Sequence, residues 1–162
     1  MGTEVGEYVV GAYLQHIKKC DFVTYNARSP GGTLAGLPEM DVVAIKLNEK
    51  EAYMCEATTH IRGLLYKNNE ATIRKIKKKF EAQKKYARSQ LKGFAVTYMF
   101  WSPVVPVGYL TTHLHEIRGL ELVINGEYKK RVEELRAVAK RETCDLCNPF
   151  LRAMQIIEHM RE

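Results

Sequence analysis

The sequence predicts an α/β fold in a single domain, a mixed sheet flanked by helices. Three observations lead there. A chain of 162 residues with 46% hydrophobic content has the size and apolar material of one packed core. Its apolar residues switch between the 3.6-residue period of helices and the β-branched, aromatic runs of strands. The segments run helix, three strands, helix, strand, a short irregular or helical link, strand, helix, helix, with Gly and Pro clusters between them.

Val5, Val9, Ala12, Tyr13 and Ile17 recur at helical spacing, which predicts an amphipathic helix over about residues 3–19. Residues 21–27, DFVTYNA, are β-branched and aromatic enough for a strand, whereas 28–38, RSPGGTLAGLP, are dense in Gly and Pro and form a loop. Residues 40–63, MDVVAIKLNEKEAYMCEATTHIRG, read as two strands folded back on each other around Asn48-Glu49. Residues 68–91 put Ile73, Ile76, Phe80, Ala87 and Leu91 on one helical stripe and basic residues around the remainder. A strand over 93–103, GFAVTYMFWSP, ends in the region of Pro103 and Pro106. LELVIN, 120–125, suits an edge or fifth strand, and 126–141 a helix with Tyr128, Val132, Leu135 and Ala139 inward. The last helix, 148 to about 160, carries Pro149 in its first turn, where proline is tolerated.

The net charge of +6 is unevenly spread: residues 60–92 hold eleven Lys and Arg against Glu70 and Glu81, a local net of +9. A field concentrated in one helix suits a polyanion, and also fits a solvated face that keeps the chain soluble or docks on an acidic protein. No apolar run has the roughly 18 residues of a membrane span, and the N-terminus lacks the basic start and apolar stretch of a signal peptide. A cytosolic location without membrane contact is expected, with Cys20, Cys55, Cys144 and Cys147 as thiols.

Asp41 and Glu56 stand in the two most strand-like segments, where an unpaired charge is costly. A tight turn opposes Leu47 to Lys50, and the same register opposes Asp41 to Glu56 and Glu39 to Thr58. Strand alternation puts those four on one face and Val42, Cys55 and Ala57 on the other. The two Cβ atoms are then about 4.5 to 5.5 Å apart, so each carboxylate raises the pKa of the other unless a cation lies between them. Hard oxygen donors select Mg²⁺ or Mn²⁺ over zinc. The alternative is a lysine of the basic helix paired with one acid.

Glu7 in a first helix, Asp41 at the start of a strand, and Glu56-Ala57-Thr58 in the next resemble the PD-(D/E)XK nuclease superfamily, whose restriction-endonuclease-like core is an α-β-β-β-α-β unit. The resemblance spans about residues 3–101. It implies a metal-dependent DNA endonuclease with Asp41, Glu56 and Glu7 as metal-binding acids. Pro38 lies three residues before Asp41 rather than beside it, and Thr58 occupies the position of the motif's lysine. His60, Arg62, Lys67 and Lys75 are candidates to replace that charge. Lys75, Lys77, Lys78, Lys79, Lys84 and Lys85, with Arg62, would bind phosphates as a salt-sensitive, sequence-blind term. The loop 28–38 lies at the mouth of the site, either as an ordinary connector or as a groove reader. If nothing replaces the lysine, the resemblance implies a domain that binds nucleic acid without cutting it. A chain this short has no separate specificity domain, so a nuclease would act as a homodimer, on a structured substrate or with a partner subunit.

Other signals rank lower. Cys144 and Cys147 have zinc or redox spacing but no second pair, with His159 the one conceivable addition. His113 and His115 share a face only in a strand. Tyr98, Phe100 and Trp101 read as core rather than as a base-stacking platform.

Overall fold

The computed structural model describes residues 2–29 and 38–161, so most of the expected 28–38 loop lies outside the described residues. The elements are α1 (Val5–His16), β1 (Phe22–Ala27), β2 (Met40–Lys46), β3 (Glu51–Ala57), α2 (Asn69–Gln90), β4 (Ala95–Ser102), α3 (Tyr109–His115), β5 (Leu120–Ile124), α4 (Gly126–Arg141) and α5 (Pro149–His159). The strands form one mixed sheet in sequence order. β1, β2 and β3 are antiparallel neighbours. β4 and β5 add in parallel, reached through α2 and α3, because a parallel return needs a crossover.

The β2–β3 register is the one read from the turn: Val42 faces Cys55 and Lys46 faces Glu51. The Lys50 N–H closes the turn on the Leu47 carbonyl at 3.3 Å. Alternation sorts the faces. Val42, Ala44, Tyr53, Cys55, Met99 and Trp101 pack under α1, α4 and α5. Val43, Ala52, Met54 and Phe100 pack on the opposite side under α2 and α3. No helix among the described residues is long and apolar enough to cross a membrane.

The structure shifts some sequence expectations. Val5, expected on the buried stripe of the first helix, is 65% exposed, because α1 turns its middle inward. Val9, Val10, Ala12, Tyr13 and Leu14 bury against both the sheet and the α4–α5 layer. The link after β4 is the short helix α3. There His113 bonds the Tyr109 carbonyl through Nδ1 at 2.8 Å and stacks on the Tyr109 ring. Phe100 and Trp101 are fully buried, so the aromatic run is core.

Two local features bring helices to the site. Asn68 caps α2 by accepting the Ala71 N–H at 2.8 Å, the standard use of an Asn at this position. One turn on, the Thr72 hydroxyl accepts the Tyr66 N–H at 2.8 Å and so holds Tyr66 beside the helix. On the other face, Gly11 lets α1 sit on Tyr25: a Cβ there would lie 1.9 Å from Tyr25 Oη.

Candidate functional site

Because β2 and β3 are antiparallel, the start of one lies beside the end of the other. A cleft of about 620 Å³ opens at this end of the sheet. Asp41 and Glu56 line it, with Glu7 from α1, Lys75 and Lys79 from α2, and Thr58 and His60 from the chain leaving β3. The predicted acids and two of the predicted lysines therefore share one cavity. Arg62, Lys67, Lys77, Lys78, Lys84 and Lys85 do not line it. Arg62, Lys67, Lys77, Lys78 and Lys85 are exposed to solvent. Lys84 is turned back over Phe80 and paired with Glu81. Its helix phase opposes that of Lys75 and Lys79, which are one turn apart.

Each acid is held by one oxygen. Asp41, one residue beyond the last β2–β3 pair of Val42 with Cys55, accepts the Ala57 N–H through Oδ2 at 2.9 Å. Glu56, 5% exposed, forms an ion pair with Lys79 through Oε1. Glu7, 8% exposed, accepts the Glu4 N–H at 3.0 Å and the Asn26 amide at 3.4 Å, both on Oε2. Asn26 reaches it because its backbone turns left-handed, at φ 55°, inside β1. Glu39 pairs with Arg28. Burial pushes the Asp41 carboxyl up, against the Ala57 N–H and Lys79, which pull it down, while Glu39 adds to the rise. Burial also pushes Glu7 up, with Asp41 and Glu4 adding repulsion against the bonds from Glu4 and Asn26. The site thus concentrates negative charge that it solvates poorly.

An acid whose folded pKa lies above its unfolded one binds its proton more tightly when folded. Its contribution to stability is therefore largest at low pH and is lost as pH rises from the ordinary carboxylate range through the raised value. Asp41→Asn keeps an oxygen for the Ala57 N–H and removes the charge. Its urea midpoint is expected to exceed that of the wild type at neutral pH, the gap closing as pH falls below the ordinary aspartate value. Equal midpoints throughout would mean Asp41 is not strained by its surroundings.

As the side chains stand, no three His, Cys, Asp or Glu among the described residues lie close enough to hold a metal; the cation against Glu56 is Lys79. The donor set nonetheless fits a hard dication. Asp41 Oδ1, Glu7 Oε1 and Glu56 Oε2 accept nothing from the described residues, and all three side chains line the cleft.

Thr58 is not directed at chemistry. It is 8% exposed, donates through Oγ1 to Ser102 Oγ at 2.9 Å, and its N–H extends the pairing with β4 to the Trp101 carbonyl at 2.9 Å. β3 ends at Ala57, so His60 is on a loop rather than a strand, packed edge-on against Tyr66 at 5.0 Å. Lys75 lies 3.6 Å over the same Tyr66 ring, a cation–π contact. The Lys79–Glu56 pair is the alternative read from the sequence, a lysine of the basic helix on one acid, although the sequence did not single out Lys79; Tyr66 and Gln83 were missed as lining residues. The available signal was helix phase, since Lys75, Lys79 and Gln83 recur every four residues beside the buried stripe. Away from the cleft, Cys144 and Cys147 are exposed thiols, and His159 Nε2 bonds the Ala139 carbonyl at 3.1 Å. No protein-family model, curated protein or solved structure matches the chain.

Proposed function

We propose that this protein is a metal-dependent DNA endonuclease with a restriction-endonuclease-like core of the PD-(D/E)XK type. The observation that carries the reading is the convergence of Glu7, Asp41, Glu56 and Lys79 in one cleft at the open end of the β2–β3 pair. Asp41 and Glu56, with Glu7, would hold Mg²⁺ or Mn²⁺. That ion, when bound, supplies a polarised phosphodiester, a more acidic water and neutralisation of charge in an in-line displacement. Lys79 supplies the positive charge that the motif expects at position 58. Lys79 is paired with Glu56, and with the carboxylates holding an ion its ammonium would be available to a phosphate oxygen. His60 lies in the same cleft, within reach of a bound backbone. Lys75 is held toward the cleft by Tyr66, and the exposed Lys77, Lys78 and Lys85 extend the cationic surface along α2.

A second reading has its own support. The Thr58–Ser102 bond and the Lys79–Glu56 pair also describe a site whose carboxylates are neutralised internally, in a module that binds nucleic acid without cutting it. Incubation with supercoiled plasmid separates the two. The nuclease nicks it in Mg²⁺ or Mn²⁺ and not in EDTA. Equal, salt-sensitive binding in EDTA and Mn²⁺ with no nicking would establish the second reading and end the first. In either case binding falls steeply with salt, by about 0.9 logarithmic unit per logarithmic unit of salt for each phosphate neutralised.

A further inference from the structure

Gln83 is a buried polar side chain of the cleft wall whose amide nitrogen has no structural task among the described residues. It is 2% exposed, it lines the cleft, and its amide nitrogen has no hydrogen-bond partner among the described residues. A buried amide without a partner is costly. The neighbouring donors on the same helix are engaged, Lys75 by the Tyr66 ring and Lys79 by Glu56. Lys75, Lys79 and Gln83 are four residues apart, so they form a column with a step of about 6 Å along α2. That step is close to the spacing of successive phosphates along one nucleic-acid strand.

We propose that Gln83 is a substrate-binding residue, donating its side-chain amide to a non-bridging phosphate oxygen of a DNA strand that runs along α2 from Lys75 past Lys79. The terminal torsion of glutamine is soft, and a half-turn exchanges its nitrogen and oxygen, so the donor can be presented without moving the helix. A neutral donor suits this end of the column. The carboxylates lie beside Lys79, and a third fixed cation would be drawn to them and away from the phosphate. Gln83 instead supplies a contact that depends on geometry and not on counterion release. The assignment rests on the DNA-binding part of the reading above and is independent of cleavage.

Binding of a labelled single-stranded DNA oligonucleotide in EDTA tests it, so that neither metal nor hydrolysis enters. Gln83→Met, close in shape, is expected to weaken binding about 10- to 100-fold, the range for a lost hydrogen bond to a charged group. Its salt dependence should stay that of the wild type, because no counterion-releasing charge is removed. Lys75→Ala, in contrast, should flatten that dependence. The urea midpoint of Gln83→Met is expected to equal or exceed the wild-type value, since an unpartnered buried amide has been replaced by apolar atoms. Gln83→Asn, which keeps the amide but withdraws it by one methylene, should reproduce the binding loss and covers the case in which Gln83→Met folds poorly. A lowered midpoint with unchanged binding would make Gln83 structural and overturn the proposal. Unchanged binding in both variants would overturn it while leaving the DNA-binding reading intact. A wild-type protein that binds no oligonucleotide would overturn both.

Discussion

Glu56→Ala is expected to lower Mg²⁺-dependent plasmid nicking by about 10³-fold or more, the scale on which a lost ion-holding or charge-stabilising group acts in phosphoryl transfer. The fold should survive the change. Glu56 packs at the end of β3, and its partner Lys79 has a side chain 40% exposed that can turn to water when the carboxylate is gone. The reverse substitution behaves differently. Lys79→Met leaves a carboxylate that is 6% exposed without its cation, and the cost in EDTA is about 1 to 3 kcal/mol. On the proposed reading, a dication on Asp41 and Glu56 would replace the missing charge. Mn²⁺ should therefore raise the thermal midpoint of Lys79→Met well above the rise it gives the wild type, since binding to the folded state alone stabilises by mass action. Nicking by Lys79→Met should fall by about 10²- to 10⁴-fold even where Mn²⁺ saturates the site, because the charge supplied to the phosphate is gone. Wild-type nicking by Glu56→Ala would put the chemistry elsewhere. A Lys79→Met midpoint indifferent to Mn²⁺ would show that Glu56 answers to lysine alone.

Gly11→Ala is expected to destabilise the fold by about 2 to 4 kcal/mol, the upper range of overpacking and a visible loss for a chain of this size. A Cβ on Gly11 would lie 1.9 Å from Tyr25 Oη, 2.6 Å from Cζ and 2.7 Å from Cε1. Tyr25 cannot swing aside easily: its ring packs on Tyr8 at 5.3 Å and belongs to the border of the α1-side core. Relief requires α1 to lift from β1. Glu7 is one turn before Gly11, and its Asn26 contact comes from β1, so the same movement opens the cleft. Urea denaturation of Gly11→Ala, Tyr25→Leu and the pair gives the coupling directly. The double variant should recover a substantial part of the summed loss, and strict additivity would mean that the two residues do not meet in solution.

Much of the fold was legible because its signals are local. The period of Ile73, Ile76, Phe80, Ala87 and Leu91 gave the buried face of α2, and all five are buried. The turn at Asn48-Glu49 gave the β2–β3 register and, through alternation, the facing of Val42 and Cys55. Val5 was misread because a helix covered on two sides has no single stripe. The link before β5 stayed undetermined because seven residues of helix carry too little periodic signal.

The candidate site divides the same way. The sequence by itself determined that Asp41 and Glu56 are neighbours, because antiparallel pairing turns residue numbers into opposed positions. It also determined that the cationic surface lies on one helix. Only the tertiary structure decided which cations meet those acids. α1 and α2 pack on opposite faces of the sheet and converge at its open end, so Glu7, Lys79 and Gln83 enter one cleft from distant parts of the chain. In a run such as Lys77-Lys78-Lys79 the residues are chemically equal, and only the rotation of the packed helix selects Lys79 for Glu56, while the parallel β3–β4 register, with Ala57 beside Trp101, brings Thr58 to Ser102.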